Sequence, residues 1–354
     1  MENLNEQAQN QQDQTTRIAQ HTVATNTHEY GADYNPNRDY DPDNDPHFHP
    51  VKKSRWETLK KYKTFYLMLV PAIIFFLVFS YWPMTGNLLA FRKFSFNSGM
   101  YGTGWVGLQY FREFFTNRET PMYIRNTLII SGIKLFLYLP FPIILALIFN
   151  EIVNTKHRSA FQSISYLPYF ISWVVVIGIL NKLFAPNTGL VNQVLAATGL
   201  SDGSRFWMME NSFFYPAVFG SYLWKNIGWD SIIYYAAIMG ISPSLYEAAA
   251  IDGANRLKQT RHVTLPGISK TIMILFIISL GGILSAGFDQ VYLMQNPGNF
   301  QVSEIIDTYV VKTGLEKARY GPATAVGLIQ GLVGLGLTVI VNKSADKFGD
   351  NALW

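Results

Sequence analysis

Six apolar runs follow the polar first 50 residues of this 354-residue chain, at about residues 63–85, 124–149, 161–184, 213–240, 268–292 and 321–342. Each is close to the roughly 20 residues that cross the hydrocarbon core of a bilayer. A backbone in hydrocarbon must satisfy its own hydrogen bonds, so runs of this length have to fold as helices. The sequence therefore predicts an all-α, polytopic membrane protein with six transmembrane helices. Pro71, Pro83, Pro140, Pro142, Gly281, Gly282 and Gly287 lie inside the runs. Such interruptions are tolerated where neighbouring helices cover the freed backbone groups, which points to a packed bundle.

Six spans place both termini on one side. Lys and Arg are dense in KKSRWETLKKYK (52–63), at Lys156 and Arg158, at Arg256, Lys258 and Arg261, and at Lys343 and Lys347. That bias assigns these segments and both ends to the cytoplasm. The net charge of +4 is modest and serves orientation more than nucleic-acid binding. The chain divides into a polar tail (1–50), a basic flank with the first span and an outer loop (51–121), a five-span core (122–343) and a short C-terminal tail (344–354).

The tail is rich in Asn, Gln and Asp, a composition that cannot bury a core and predicts disorder. It lacks the basic start and apolar stretch of a secretory signal. Asp41, Asp43 and Asp45 take the first positions of a calcium loop, but Pro46 stands where that loop needs Gly, and no Glu closes it. His47 and His49 read as a solvated tail. With no cysteine, disulfides, thiolate metal sites and a Cys nucleophile are excluded. His157 and His262 are isolated, and no Ser-His-Asp set, HExxH or carboxylate pair marks an enzyme.

YEAAAIDGANRLKQTRHVTLPGI (246–268) is a polar, Ala-rich stretch within the 241–267 loop between two apolar runs. Ser242-Pro243 and Ser244-x-x-Glu247 are two overlapping helix starts, the second a capping box. Ala248, Ala249 and Ala250 favour a short, stiff helix that other surfaces can approach closely. Gly253 ends or bends it. Ala254 to Thr264 predict a second short helix, with Pro266 closing the unit at the membrane. Two exposed helices at an angle read either as an ordinary amphipathic connection between two spans or, since a plain connection needs only a few residues, as a docking surface.

The order E-A-A, three residues, G, nine residues, an aliphatic residue, one residue, L-P resembles the EAA motif of permease subunits of binding-protein-dependent ABC importers. Its positions here are Glu247, Ala248, Ala249, Gly253, Val263, Leu265 and Pro266, with Val263 where the family more often has Ile. Asp252-Gly253-Ala254 suits the sugar branch. YLMLVPAIIFFLVFSYWPM (66–84), WVGLQYF (105–111), RNTL (125–128), YLPYFISWVVVIGIL (166–180) and FDQVYLM (288–294) resemble further segments of sugar permeases. The likeness covers roughly residues 62–342 and is greatest to Gram-positive-type permeases that import polysaccharide fragments. It implies the type I ABC importer permease fold and a heterodimer with a second permease. It also implies two copies of a nucleotide-binding ATPase subunit and an extracellular or periplasmic sugar-binding protein. Glu247 would contact the ATPase, Ala248 and Ala249 would allow close approach, Gly253 would set the bend, Leu265-Pro266 would fix the joint to the next span, and Asp252 belongs to the same ATPase-coupling set.

The chain has no G-x-x-x-x-G-K-[ST] phosphate cradle, so ATP and Mg would be bound by the partner ATPase. A sugar path needs aromatic faces and hydroxyl partners. Trp224, Asn226, Trp229, Asp230, Tyr234 and Tyr235 supply them in one span, and Asp289, Gln290 and Tyr292 near the outer part of the next. Carboxylates in a membrane face water or a partner, and Asp230 has Lys225 nearby as one such partner. Arg125 reads as an interfacial anchor and Lys134 as a packed polar contact. The competing function is an ion-coupled secondary transporter of a small polar solute, for which Asp230 and Asp289 would serve.

Overall fold

A computed structural model describes residues 61–97, 99–200 and 202–347. The expected tail, most of the basic flank and the last residues of the C-terminal tail lie outside the described residues. The chain divides into two compact units, Met1–Phe76 and Leu77–Trp354.

The first contributes α1 (Lys63–Phe76), an apolar helix that carries Pro71 in its interior. The second is built from α2 (Gln109–Thr116), α3 (Thr120–Gly132), α4 (Pro140–Glu151), α5 (Thr155–Tyr166), α6 (Trp173–Leu183) and α7 (Leu190–Ala197). It continues through α8 (Asn211–Met239), α9 (Pro243–Ile251), α10 (Arg256–Gln259), α11 (Ser269–Gly281), α12 (Phe288–Met294), α13 (Ile306–Val311) and α14 (Tyr320–Lys347). Among the described residues there is no strand, only one isolated bridge between Arg92 and Trp105.

Among the described residues, three helical runs are long and apolar enough to cross a membrane: Lys63–Ala90, Thr120–Glu151 and Tyr320–Ser344. Thr120–Glu151 joins α3 to α4 through a π turn at Ile133–Leu137, which absorbs Pro140 and Pro142 by shifting the hydrogen-bond register. Two bent pairs raise the number of apolar crossings to five if each is one span. At 29 residues, α8 reaches about 43 Å at the usual helical rise, ample for a bilayer. Its Trp, Tyr, Lys and Asp residues make it less apolar than the other long runs.

Two of the expected continuous spans are broken. The 161–184 run bends by 94° between Thr155–Phe170 and Trp173–Leu183. Pro168 ends the first piece in a tight turn, Ile171 is extended, and Ser172 starts the second by accepting a hydrogen bond from the Val175 amide at 3.5 Å. The 268–292 run stops at Gly282 and restarts only after Gly287, whose φ of +86° is a left-handed conformation that a Cβ would strain. Two glycines in succession weaken the helix, and a third permits the turn back.

The core holds α8 at its centre. Ile130, Ile177, Phe214, Val218, Val291 and Ile305 bring α3, α6, α8 and α12 together. Ile143, Ala146, Tyr234, Ile238 and Ile268 seat the opposite end of α8 on α4 and the start of α11. At Gly228 the α5 backbone at Ser165 comes so close that no side chain fits between them. Phe114, Tyr123, Ile306 and Val326 form a third cluster under α14.

Candidate functional site

Two places carry the residues singled out in the sequence: the loop between α8 and α11, and a pair of cavities along α8.

The loop begins at Ser242, whose extended backbone precedes Pro243 at the first helical position. Ser242 Oγ lies 2.8 Å from Ser244 Oγ and makes no capping bond. The Ser244–Glu247 box is therefore unused, because Pro243 already sets the helix start one residue earlier. At the other end, Gly253 has φ +75°; its amide donates to Ala250 O at 3.0 Å, and the Ala254 amide to Ala249 O at 2.9 Å. These are the two bonds of a Schellman stop. Asn255 Oδ1 accepts from the Lys258 amide at 2.9 Å and restarts the chain as helix Arg256–Gly267. Pro266 does not end this helix: a π turn at Thr260–Thr264 shifts the register ahead of it, and the 55° bend falls between Gly267 and Ser269.

No residue of α9 is buried. Ile251 and Leu257 are 88% and 77% exposed, unusual for aliphatic side chains in an ordered unit. Tyr246 Oη and Thr264 Oγ1, 3.0 Å apart, tie the two arms together. Between them lies a groove of about 420 Å³ reached by Glu247, Tyr246, Arg256 and Gln259. Glu151, at the end of α4, is 4.0 Å from Arg256 at its edge. Glu247 makes no hydrogen bond or ion pair among the described residues, so its carboxylate is open to an outside partner.

The path candidates separate. Asn226, Asp289 and Tyr292 line one open cavity of about 750 Å³ with Tyr169, Trp173 and Lys225. Trp229 backs it, stacked on Tyr169 with ring centres 4.4 Å apart and planes within 4°. Phe288 and Tyr292 stack at 4.9 Å on α12. Asp230 and Tyr234 line a second, narrower cavity of about 390 Å³ with Lys134, Tyr138, Tyr222 and Ser279. Trp224, Tyr235 and Gln290 reach neither. Trp224 is exposed on the outside of α8, and Tyr235 packs edge-on against Phe149. Gln290 is 1% exposed and donates to Val218 O and Ser221 Oγ, both at 2.8 Å, so it fastens α12 to α8.

Lys225 does not pair with Asp230. Its ammonium donates to Tyr169 O at 2.5 Å and Ile171 O at 2.6 Å, the carbonyls freed by the 94° bend. A cation at the end of a helix meets the negative pole of the peptide dipoles as well as the carbonyls. Asp230 instead accepts from Tyr138 Oη at 2.7 Å. Lys134 is a packed polar contact as expected, donating to Ala286 O at 2.7 Å with the Tyr222 ring 4.7 Å away. Arg125 donates to Gln301 O at 3.0 Å. Outside the spans, Arg205 grips Glu210 at 2.6 and 2.7 Å, and that hydrogen bonding holds the Glu210 carboxyl below its ordinary value. The sequence reading does not single out Tyr138, Tyr222 or Tyr169, each of which sits in an apolar run that reads as core; helix packing brings Tyr138 and Tyr222 to one cavity, and the 94° bend brings Tyr169 to the other.

The family profile described as "Binding-protein-dependent transport system inner membrane component" matches residues 126–347, a range that includes both cavities and the whole loop. The chain belongs to this family. The permease is 38% identical over 293 residues to the "Polygalacturonan/rhamnogalacturonan transport system permease protein YteP" of Bacillus subtilis, covering 82% of this chain and 90% of that protein. It is 38% identical to "Protein LplB" of the same organism, over 84% and 92% of the two chains. A chain of a bacterial alginate ABC transporter, solved in complex with an alginate pentasaccharide-bound periplasmic protein, superposes with a TM-score of 0.77 at 37% identity, covering 84% of this permease and 99% of that chain. The permease is thus a helical, membrane-embedded transport component of the type I importer fold, and not an enzyme.

Proposed function

We propose that this permease forms half of the translocation path of an ATP-driven importer of oligosaccharides or polysaccharide fragments, working by alternating access. It pairs with a second, homologous permease in a bacterial plasma membrane, crossing six times with both termini and the 241–267 loop in the cytoplasm. Two copies of an ATPase subunit bind ATP and Mg, and an extracellular or periplasmic binding protein delivers the saccharide. The relatives named for polygalacturonan, rhamnogalacturonan and alginate support the saccharide class.

The observation that carries the coupling role is the 243–267 unit: ordered, tied at Tyr246–Thr264, unburied along α9, and presenting an unpaired Glu247 beside exposed Ile251 and Leu257. An ordered surface of this kind transmits a rigid-body push from a partner. Ala248, Ala249, Asp252, Gly253, Leu265 and Pro266 shape that unit as the family motif implies. The cavity at Asn226, Asp289 and Tyr292 offers stacked rings and hydroxyl partners to a sugar, with Asp230 and Tyr234 continuing the polar face along α8. The polar tail 1–50, the flank and first span within 51–121, the core 122–343 and the tail 344–354 are its segments.

Reconstitution of this chain with a second permease, the ATPase and the binding protein is expected to give saccharide uptake that requires ATP. Uptake by this chain alone, abolished when an ion gradient is collapsed and indifferent to ATP, would instead establish an ion-coupled transporter.

A further inference from the structure

Lys134 lies in the middle of the long run Thr120–Glu151, where a charged side chain is costly unless it has a task. It makes no ion pair among the described residues, although Asp230 lines the same cavity. Its ammonium goes to one backbone atom, Ala286 O, at 2.7 Å, with the Tyr222 ring below it at 4.7 Å. Ala286 is completely buried and is the last residue before Gly287, where the broken fifth run turns to begin α12. A Cβ on Gly287 would collide with Lys134 Nζ, so the missing side chain is the seat of the ammonium.

The seat matters because α12 cannot hold itself. Seven residues are too few for a helix to persist alone, and the segment before it is irregular. Gln290, Val291 and Met294 are buried on one side of α12, while Asp289 and Tyr292 are exposed on the other, toward the larger cavity. Gln290 fastens the middle of α12 to α8, and Lys134 fastens its entry to the π turn between α3 and α4. Asn299 also holds the far end of α12 at Met294 O, Asp307 bonds the Ser285–Ala286 segment, and Tyr292 Oη donates to Glu316; Lys134 is the contact that holds the Ala286 carbonyl itself, at the turn from which Asp289 and Tyr292 are directed. On the opposite wall Lys225 does the same for the carbonyls at Tyr169 and Ile171.

We propose that Lys134 is a positioning residue for saccharide passage: by holding the Ala286 carbonyl beside Gly287 it sets the direction of α12 and thereby the Asp289 and Tyr292 side of the cavity. This rests on the assignment of that cavity to the saccharide path. A positioning role acts on affinity, because misplacing a binding group by an ångström weakens the contacts it makes without removing the group.

The test uses the complete importer in proteoliposomes, probed with short xylo- and galacturono-oligosaccharides and then with whichever is taken up. Lys134→Met is expected to raise KM about tenfold or more with a much smaller change in kcat. Lys134→Arg should restore part of the loss, and Gly287→Ala, which fills the seat, should reproduce it. Because the chain has no cysteine, nitroxides at Val174→Cys and Leu293→Cys can report the distance across the cavity. A narrow distribution should broaden in Lys134→Met and in Gly287→Ala. Unchanged KM and an unchanged distribution in both, with only the yield of folded protein reduced, would overturn the proposal. Asp289→Asn and Tyr292→Ala separate the two levels. If they alter KM while Lys134→Met does not, the positioning role fails and the path stands; if they leave KM unchanged for every probe, the path assignment itself fails.

Discussion

The 243–267 unit and the cavities along α8 are both polar places in an apolar chain, yet they are built in opposite ways. In the loop the bonds that shape the unit stay within it: the Schellman stop at Gly253 closes over five residues, the Asn255 cap over three, and the Tyr246–Thr264 tie over 18. In the cavities the shaping bonds join distant segments, with Lys225 reaching 56 residues back to Tyr169 and Lys134 reaching 152 residues ahead to Ala286. A locally built element can be carried as a motif and presented whole to a partner. A cavity built from long-range bonds exists only when the bundle is assembled, and it can change shape when the bundle moves.

The difference is open to attack by substitution. The largest effect is expected at Gly253→Val: a β-branched residue at φ +75° breaks the stop between the two arms, and uptake should fall about tenfold or more while the isolated ATPase still hydrolyses ATP. Uptake at the unsubstituted rate would show that the joint between the arms carries no force. Next comes Lys225→Met, which leaves two half-buried carbonyls at the bend without their donor, at about 1 kcal/mol for each lost hydrogen bond. Thermal unfolding in detergent should shift down accordingly, and a shift within error would mean that the bend needs no cap.

Glu247→Ala should lower the ratio of saccharide imported to ATP hydrolysed by several-fold without lowering the melting temperature, since Glu247 has no partner among the described residues. A loss of stability without a change in that ratio would move Glu247 from docking to folding. Tyr138→Phe removes the hydrogen bond to Asp230 and should destabilise the fold by about 1 kcal/mol, readable in the same thermal assay. Ser244→Ala is expected to do nothing measurable, within about 0.5 kcal/mol, because Pro243 has displaced the capping box; a clear loss would restore that box.

How much was legible follows the same division. The bend at Gly253 and the exposure of Ala248–Ala250 could be read from neighbouring residues, because propensity and capping act over a few positions. The break at Ile171–Ser172 was not legible: YLPYFISWVVV has the apolar content of one span, and its single Pro is of a kind that spans often absorb, as Thr120–Glu151 absorbs Pro140 and Pro142. The fifth run did carry a signal in Gly281, Gly282 and Gly287, which weakened it as a helix without saying that it would stop. Gln290 beside Asp289 looked equally suited to a sugar hydroxyl, and helical rotation alone turned one into the core and the other to the cavity.

By itself the sequence determined the class of molecule and the shape of its 243–267 loop. Long apolar runs have only helices available to them in a bilayer, and the Ala-rich, Gly-interrupted loop encodes its own shape within a few residues. The tertiary structure alone decided which residues face the cavities. That choice depends on where two helices break and on which lysine, from which distant helix, meets the carbonyls that the break leaves open.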